Sequence, residues 1–248
     1  MSDPKRILAF VDKWIGREMA HSMISQFPGD NYVFVVGPNE QLEICEVLTG
    51  YDVRRNSQLV IQKLRARQDG TFDWLLNLWG HNIFRKEDLS LAEHTLNVHP
   101  GALPQARGSD PIVWTIRDRI KAKASLHQLI LEVDAGPIFA ERDVPYALPI
   151  TGGELYDRVI RACVDLFNEK WPHIRSNPQT FPQMGDARTY RRKELEPDRR
   201  LTCDETILKL LAHDFSDSYR AILTIDGTAY SARLVLTPVV DVNESGRF

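Results

Sequence analysis

Short apolar runs alternate with amphipathic stretches along the first hundred residues of the chain. Runs rich in β-branched and aromatic residues predict strands at 7–11, 32–36, 73–79 and 95–99. They are apolar on both faces, which is typical of parallel strands covered by helices on each side. Apolar residues at helical spacing predict crossover helices at 14–27 and 57–68. The pattern therefore predicts an α/β fold with a mostly parallel sheet and helices on both faces.

The strongest helical pattern covers residues 152–172, where the apolar positions fall on one face. Thr151 and Glu154 have the spacing of a capping box, in which each side chain accepts a hydrogen bond from the other residue's backbone N–H. Residues 176–200 are rich in Pro, Asn, Gln and Arg, which predicts a mostly irregular surface linker. The main domain is therefore expected to span residues 1–180.

The remaining residues, 181–248, predict the linker followed by a small C-terminal unit. Thr202 and Glu205 repeat the capping-box spacing and predict a short helix. Two alternating apolar runs then flank Asp226 and Gly227, a favoured pair for a tight turn. We expect one helix and a β-hairpin in this unit.

Composition and charge narrow the possible functions. The chain has 248 residues, a formal net charge of -3 and no apolar run long enough to span a bilayer. The acidic balance argues against a nucleic-acid partner, and the start of the chain lacks a secretory signal, which predicts a cytoplasmic protein without membrane contact. Cys45, Cys163 and Cys203 lack paired spacing, so neither a metal site nor a disulfide is expected.

The candidate chemistry lies in two segments, 97–114 and 129–145. Asn97 and His99 are two residues apart at a predicted strand end, so their side chains point to the same side at the carboxyl edge of the sheet. Asp134 stands in a Gly-Pro turn that can bring a carboxylate toward them. Each residue alone has a plainer explanation, as a strand-end amide, an edge histidine or a turn aspartate. Together they suit acyl transfer, with a donor for a developing oxyanion and an imidazole oriented by a carboxylate.

The sequence NVHPGALPQARGSDPIVW followed by DAGPI resembles the folate-dependent formyltransferase family from the first strand to about residue 175. The resemblance implies a Rossmann-like fold, 10-formyltetrahydrofolate as the donor and no metal. It also implies that Asn97, His99 and Asp134 are catalytic. Asn97 and protonated His99 would then stabilise the oxyanion, with Asp134 holding a water molecule and raising the imidazole pKa.

The resemblance further implies a donor pocket and an acceptor site. The donor pocket would be built largely from backbone, in His81, Asn82, Ile83 and Phe84 and in Glu132, Val133 and Asp134. Expected acceptor contacts are Pro100, Gly101, Arg107, Gly108 and His127, although His127 is equally well a structural strand residue. Gly101 departs from the family, which usually has serine there.

The tail RTYRRKELEPDRRL with Ser125, Leu126 and His127 looks most like the sugar N-formyltransferases. This subgroup implies an NDP-linked 4-amino-4,6-dideoxyhexose as acceptor, a product for surface polysaccharide such as lipopolysaccharide O-antigen, and a homodimer. Methionyl-tRNA and glycinamide ribonucleotide formyltransferases, a formyl-folate hydrolase and a non-catalytic folate- or nucleotide-binding protein are the alternatives. The basic cluster Arg188, Arg191, Arg192 and Lys193 could meet a diphosphate or be a solvated loop. The remaining histidines are expected at the surface: His21, His94, His173 and His213.

Overall fold

The computed structural model describes residues 3–37, 48, 51–55, 62, 71–80, 82–148, 150–201, 207–225 and 227–235. The strands in these ranges are β1 (Arg6–Val11), β2 (Asn31–Val36), β3 (Asp52–Arg55), β4 (Phe72–Leu78), β5 (Ala92–His99), β6 (Arg107–Gly108), β7 (Lys123–His127), β8 (Ile138–Asp143), β9 (Thr189–Tyr190), β10 (Arg200–Leu201), β11 (Ala221–Ile225) and β12 (Thr228–Ala232). The helices are α1 (Lys13–Gln26), α2 (Lys86–Leu89), α3 (Pro111–Arg117), α4 (Gly152–Ser176), α5 (Arg192–Arg199) and α6 (Ile207–Ala212).

The central sheet has seven strands in the order β3-β2-β1-β4-β5-β7-β8. The first five are parallel, whereas β7 runs antiparallel to both β5 and β8. The predicted Rossmann-like, mostly parallel α/β fold is confirmed, and so are its four predicted strands and the helix predicted at 14–27. The helix predicted at 57–68 lies almost wholly outside the described residues.

Two apolar clusters cover the two faces of the sheet. Along β1, Ile7, Ala9 and Val11 belong to the larger cluster, which includes the buried faces of α1 and α4. Leu8 and Phe10 point the other way into a smaller cluster. This alternation follows from the two-residue period of a strand, and it explains why β1 is apolar at every position from Ile7 to Val11.

The long helix α4 is held at both ends. At its start, the Thr151 hydroxyl accepts from Glu154 N at 3.1 Å, and Glu154 Oε2 accepts from Thr151 N at 2.9 Å, which confirms the predicted capping box. Near its end, Arg175 forms a buried bidentate pair with Asp30, in which Nε lies 2.8 Å from Oδ2. Arg175 Nη2 also donates to Asp3 O at 2.9 Å. The helix is thereby fixed to the start of the sheet.

Cys163, in the middle of α4, lies directly against the end of β5. Its side chain is 0% exposed and its sulfur is 3.9 Å from His99 O. Burial raises the pKa of the thiol well above its ordinary value. The thiol is therefore protonated at neutral pH and behaves as a small apolar group.

The linker prediction is wrong in its second half, because residues 189–199 form β9 and helix α5. Tyr190 is buried and stacks on Trp114 with ring centroids 4.5 Å apart, and Leu195 is also buried. Packing against the main domain thus offsets the cost of Pro197 inside this short, charged helix. The hairpin is confirmed, with Gly227 at a positive φ between β11 and β12. Asp226, Thr202 and Glu205 lie outside the described residues.

His213 is buried, contrary to the prediction that it lies at the surface. Its side chain is 0% exposed, and Nε2 lies 3.0 Å from Asp198 Oδ2. Asp198 also accepts from Arg117 Nε at 3.0 Å. His213 therefore joins the C-terminal unit to α5 and α3, through partners that sequence spacing does not reveal.

Candidate active site

Strands β4, β5 and β7 bring three buried polar side chains into one row. Asn97 is in register with Asn77 on one side and with His127 on the other. Asn77 Nδ2 donates to Asn97 Oδ1 at 2.8 Å, and Asn97 Nδ2 lies 2.9 Å from His127 Nε2. Because an amide oxygen accepts and an amide nitrogen donates, Asn77 orients the Asn97 NH2 group toward His127.

Asp134 is carried by the loop that joins the antiparallel strands β7 and β8. The loop is closed where Gln128 N donates to Pro137 O at 2.9 Å. A Cβ on Gly136 would lie 1.9 Å from Gln128 O, so this closure requires glycine. Asp134 has a φ of 51°, in the left-handed region that aspartate tolerates better than most residues. The turn places the carboxylate over the end of β5.

The structure brings the three predicted catalytic residues together. Asn97 Nδ2 donates to Asp134 Oδ1 at 3.3 Å, and His99 Nδ1 lies 3.5 Å from Asp134 Oδ2. Gly108 N donates to the same Oδ2 at 2.8 Å. The Asp134 side chain is 13% exposed and that of His99 is 5% exposed, so solvent reaches the group mainly at the carboxylate.

His127 lies behind this group. It is 1% exposed, its Nδ1 lies 2.9 Å from Gln128 O, and its Nε2 lies 3.4 Å from Asp134 Oδ1. Nδ1 therefore carries the proton donated to the carbonyl, and Nε2 accepts from Asn97. Both ring nitrogens are thus used in contacts with protein, and His127 holds the Asn97 carboxamide in place.

His99 is fixed by its own hydrogen bond and by a close backbone contact. Nε2 lies 2.8 Å from Ala106 O, so this nitrogen donates and Nδ1 is left as the basic nitrogen facing Asp134. A Cβ on Gly101 would lie 2.8 Å from His99 Nε2 and 2.8 Å from Pro111 Cβ. The ring thus occupies space that a serine at position 101 would need.

The pKa values of Asp134 and His99 are both lowered. Burial alone would raise the pKa of the Asp134 carboxyl, but His99, His127 and the Gly108 N–H outweigh it and hold that pKa well below its ordinary value. Burial lowers the pKa of His99, and the Asp134 carboxylate offsets only part of this change. Asp134 is therefore ionised and His99 neutral at pH 7. The expectation of a protonated His99 is wrong, because burial has the larger effect.

The two segments predicted to hold the donor differ in exposure. Phe84 is buried and packs edge-on against Phe10 at 5.1 Å, whereas Ile83 is 86% exposed. In the loop before Asp134, Leu131 is 62% and Val133 is 50% exposed. Glu132 is exposed, Asn82 is partly exposed, and His81 lies outside the described residues. The apolar side chains of these two segments, Ile83, Leu131 and Val133, are thus unusually open to solvent.

The predicted acceptor contacts lie on the loop after β5. Pro100, Arg107 and Gly108 are partly exposed, and Gly101 is buried under the His99 ring. Gly108 has a φ of 89°, and a Cβ there would lie 2.1 Å from Tyr190 O, so the loop passes against strand β9. Of the basic cluster, Arg188 stacks over the Tyr190 ring at 4.5 Å, while Arg191, Arg192 and Lys193 are exposed.

Sequence reasoning missed Asn77 and Gln183, whose side chains contact this group. Asn77 interrupts the apolar run of β4, and a lone amide in a buried strand was a signal, since buried polar groups require partners. Gln183 donates to Asp134 O at 2.8 Å from within the segment predicted as linker. Nothing in its local sequence marks it.

Within the described part of the chain, no group of His, Cys, Asp or Glu side chains could hold a metal ion. A search of the same residues finds no helix with the length and apolarity needed to cross a membrane.

No protein-family model matches the chain. Among solved structures, a 4-N formyltransferase from Francisella tularensis has a TM-score of 0.81 at 17% identity and covers 95% of this chain and 99% of its own. A sugar N-formyltransferase from a Shewanella species has a TM-score of 0.79 at 18% identity, with the same coverage of 95% and 99%. An N-formyltransferase from Helicobacter canadensis, in complex with folinic acid and dTDP-3-aminofucose, has a TM-score of 0.71 at 16% identity, with coverage of 92% and 86%.

A methionyl-tRNA formyltransferase from Clostridium thermocellum is also similar, with a lower TM-score of 0.60 at 20% identity and coverage of 90% and 89%. The fold of this chain is thus the fold of these formyltransferases. At such identities the likeness concerns the fold.

Proposed function

We propose that this protein is an N-formyltransferase that moves a formyl group from 10-formyltetrahydrofolate to the amine of a nucleotide-linked 4-amino-4,6-dideoxy sugar. The observation that carries the proposal is the contact group of Asn97, His99 and Asp134. A carboxamide N–H, a neutral imidazole and an ionised carboxylate meet there at 3.3 and 3.5 Å. A binding protein without turnover would not require this combination.

Each residue has a role that follows from its contacts. Bound 10-formyltetrahydrofolate would supply a formyl carbon open to attack by the neutral acceptor amine. Asn97 Nδ2 would stabilise the negative charge that develops on the formyl oxygen, exchanging its longer contact, the one to Asp134, for that oxygen. His99 Nδ1 would accept the proton that the amine loses as the new C–N bond forms. The same proton can then pass to the folate nitrogen as its bond to the formyl carbon breaks.

Asp134 would support this proton transfer electrostatically. Its carboxylate faces His99 Nδ1, so the imidazolium formed during transfer gains an adjacent negative charge. Gly108 N donates to the same carboxylate oxygen and keeps it in place. Because His99 is neutral beforehand, it is ready to act as a base at pH 7.

The donor side is supported by the apolar side chains that flank the group. Phe84 and Leu129 pack in the same cluster, so the 82–84 and 129–134 segments lie on the same side of the sheet. Ile83, Leu131 and Val133 are exposed there and could cover the pterin ring. The folinic acid and dTDP-3-aminofucose present with the Helicobacter canadensis enzyme agree with a folate donor and a nucleotide-sugar acceptor.

The test is a steady-state assay with 10-formyltetrahydrofolate and a panel of NDP-linked amino sugars, following release of tetrahydrofolate. Glycinamide ribonucleotide and methionyl-tRNA serve as competing acceptors, and an assay without amine detects hydrolysis. Turnover with an amino sugar is expected. Turnover with methionyl-tRNA or glycinamide ribonucleotide alone would assign a different acceptor, formate release without amine would indicate a hydrolase, and silence with every substrate would contradict formyl transfer.

The assignment of the catalytic group is tested with Asn97→Ala and His99→Ala. Loss of one oxyanion donor or of the base should lower kcat by about 10²–10³-fold. His21→Ala, at an exposed position on α1, is the matched control and should keep full activity. Thermal unfolding of each variant separates lost chemistry from lost folding. We also expect a homodimer, and a monomeric mass by light scattering at assay concentration would contradict this.

A further inference from the structure

The segment that follows α4 returns across the loop that carries Asp134. It is bonded to the main domain on both sides of Gln183. Before it, Phe181 and Ile138 exchange backbone hydrogen bonds at 2.8 and 2.9 Å. After it, β9 pairs in parallel with β6, the strand that contains Arg107. The backbone of Gln183 is thereby held between the Asp134 loop and the loop after β5.

Every polar position of the Gln183 side chain is used at this junction. Nε2 donates to Asp134 O at 2.8 Å and to Gly136 O at 2.7 Å. Oε1 accepts from Arg107 Nε at 3.0 Å and from Arg107 Nη2 at 2.7 Å. A carboxamide has two N–H donors and two acceptor sites, so its complement is complete. Its orientation is also determined, since a guanidinium only donates and a carbonyl only accepts.

These bonds act on the backbone of the turn that aims the Asp134 carboxylate. Asp134 has a left-handed φ of 51°, a conformation that carries a steric cost for any residue other than glycine, although a smaller one for aspartate than for most. The Gln183 bonds to the carbonyls of Asp134 and Gly136 hold this conformation. They keep Oδ2 at 3.5 Å from His99 Nδ1.

We propose that Gln183 is a positioning residue that holds the Asp134 turn and the Arg107 guanidinium in one geometry for formyl transfer. The proposal rests on the function proposed above. Gln183 acts on the imidazole through Asp134 and on the acceptor side through Arg107. Its loss should therefore change proton transfer and acceptor binding by separate routes.

The effect on proton transfer has a defined sign. The titratable groups around His99 are Asp134 on the loop, His127 on β7 at a ring distance of 6.1 Å, and Cys163 on α4. Of these, the Asp134 carboxylate raises the pKa of His99 and His127 lowers it. If the turn relaxes and the carboxylate moves away, the pKa of His99 falls. The acid limb of the kcat profile then moves to lower pH.

Two variants separate the two halves of the contact. Gln183→Met keeps the length and removes all four bonds, whereas Gln183→Glu keeps an acceptor for Arg107 and loses both donations to the loop. Gln183→Met should lower kcat about tenfold, raise the acceptor KM and move the acid limb down by about half a pH unit. Gln183→Glu should show a similar loss of kcat with an acceptor KM close to wild type. Gln179→Met, at an exposed glutamine of the same segment, is the matched control and should change nothing.

Thermal unfolding is measured beside the kinetics, and rates are expressed per folded protein. The proposal would be overturned if Gln183→Met had the kcat and pH profile of the wild type. It would also be overturned if a lower kcat returned to the wild-type value once corrected for the fraction of folded protein. If wild-type protein transfers no formyl group, the proposed function fails but the role of Gln183 remains testable. An NMR titration of His99 should then show a lower imidazole pKa in Gln183→Met than in wild type or Gln179→Met, and an equal pKa would overturn it.

Discussion

Gly101→Ser should lower both the stability and the activity of this protein, although serine is the usual residue at this position in the formyltransferase family that the sequence resembles. The added Cβ would meet His99 Nε2 and Pro111 Cβ at 2.8 Å and Ala106 O at 3.1 Å, where ordinary contacts begin at 3.4 Å. The imidazole must therefore move by about 0.6 Å or lose its bond to Ala106 O, because the Pro111 ring and the Ala106 carbonyl already crowd the other sides of the added atom. Such overpacking costs about 1–3 kcal/mol of stability, or roughly 2–12 °C in Tm for a chain of this size.

The activity of Gly101→Ser should fall further than its stability suggests. A displacement of this size at a reacting group lowers kcat by about 10- to 100-fold. Calorimetry gives Tm, and the formyl-transfer assay gives kcat and KM at a temperature where the variant is folded. Gly29→Ser is the control, because a Cβ at Gly29 has no heavy atom within 4 Å. If Gly101→Ser matched Gly29→Ser in Tm and kcat, the close packing of Gly101 on His99 would be refuted.

Three further predictions follow from buried contacts. Arg175→Met leaves Asp30 charged and buried without its partner, so urea denaturation should show a loss of about 3–5 kcal/mol, and a loss below about 1 kcal/mol would contradict the pair's structural role. Asp134→Asn removes the carboxylate that raises the pKa of His99, so an NMR titration should give a midpoint lower than wild type, which itself lies below about 6.5; an unchanged or higher midpoint would contradict the electrostatic assignment. Asn77→Leu removes the bond that holds Asn97 from the β4 side and leaves only its contacts to His127 and Asp134, so kcat should fall about tenfold with little change in KM, and an unchanged kcat would show that Asn77 is not needed to orient Asn97.

The elements visible in the sequence were those with a regular period or a local signal. The four predicted parallel strands, α1 and the capped helix α4 each carry such a pattern. Asn97 and His99 were found because side chains two residues apart on a strand point to the same face. The strands β7 and β8 were not predicted, since each is short and its alternation of apolar and polar residues is weak. Helix α5 was missed because Pro197 and the Pro- and Arg-rich composition around it favoured a linker, whereas buried contacts such as Leu195 hold the helix in place.

The candidate site was only partly visible for a related reason. Sequence suggested the reacting groups but not what orients them, because Asn77 is 20 and Gln183 is 49 residues from the partner it bonds. The pKa of His99 could not be predicted either, since burial and a carboxylate act in opposite directions and only the structure shows which is larger. The division at residue 180 stays a prediction, although residues beyond it bond directly to the Asp134 loop.

The buried thiol of Cys163 can report how often helix α4 separates from the sheet. Its sulfur is enclosed between α4 and the strand that ends in His99, and a protonated, inaccessible thiol does not react with alkylating reagents. The thiol can be modified only when α4 separates from the sheet. The labelling rate of Cys163 therefore measures how often α4 moves away from the end of β5, where His99 lies. A donor that rigidifies the site would slow that rate even when no formyl group is transferred, which makes the thiol a reporter of ligand binding that is independent of chemistry.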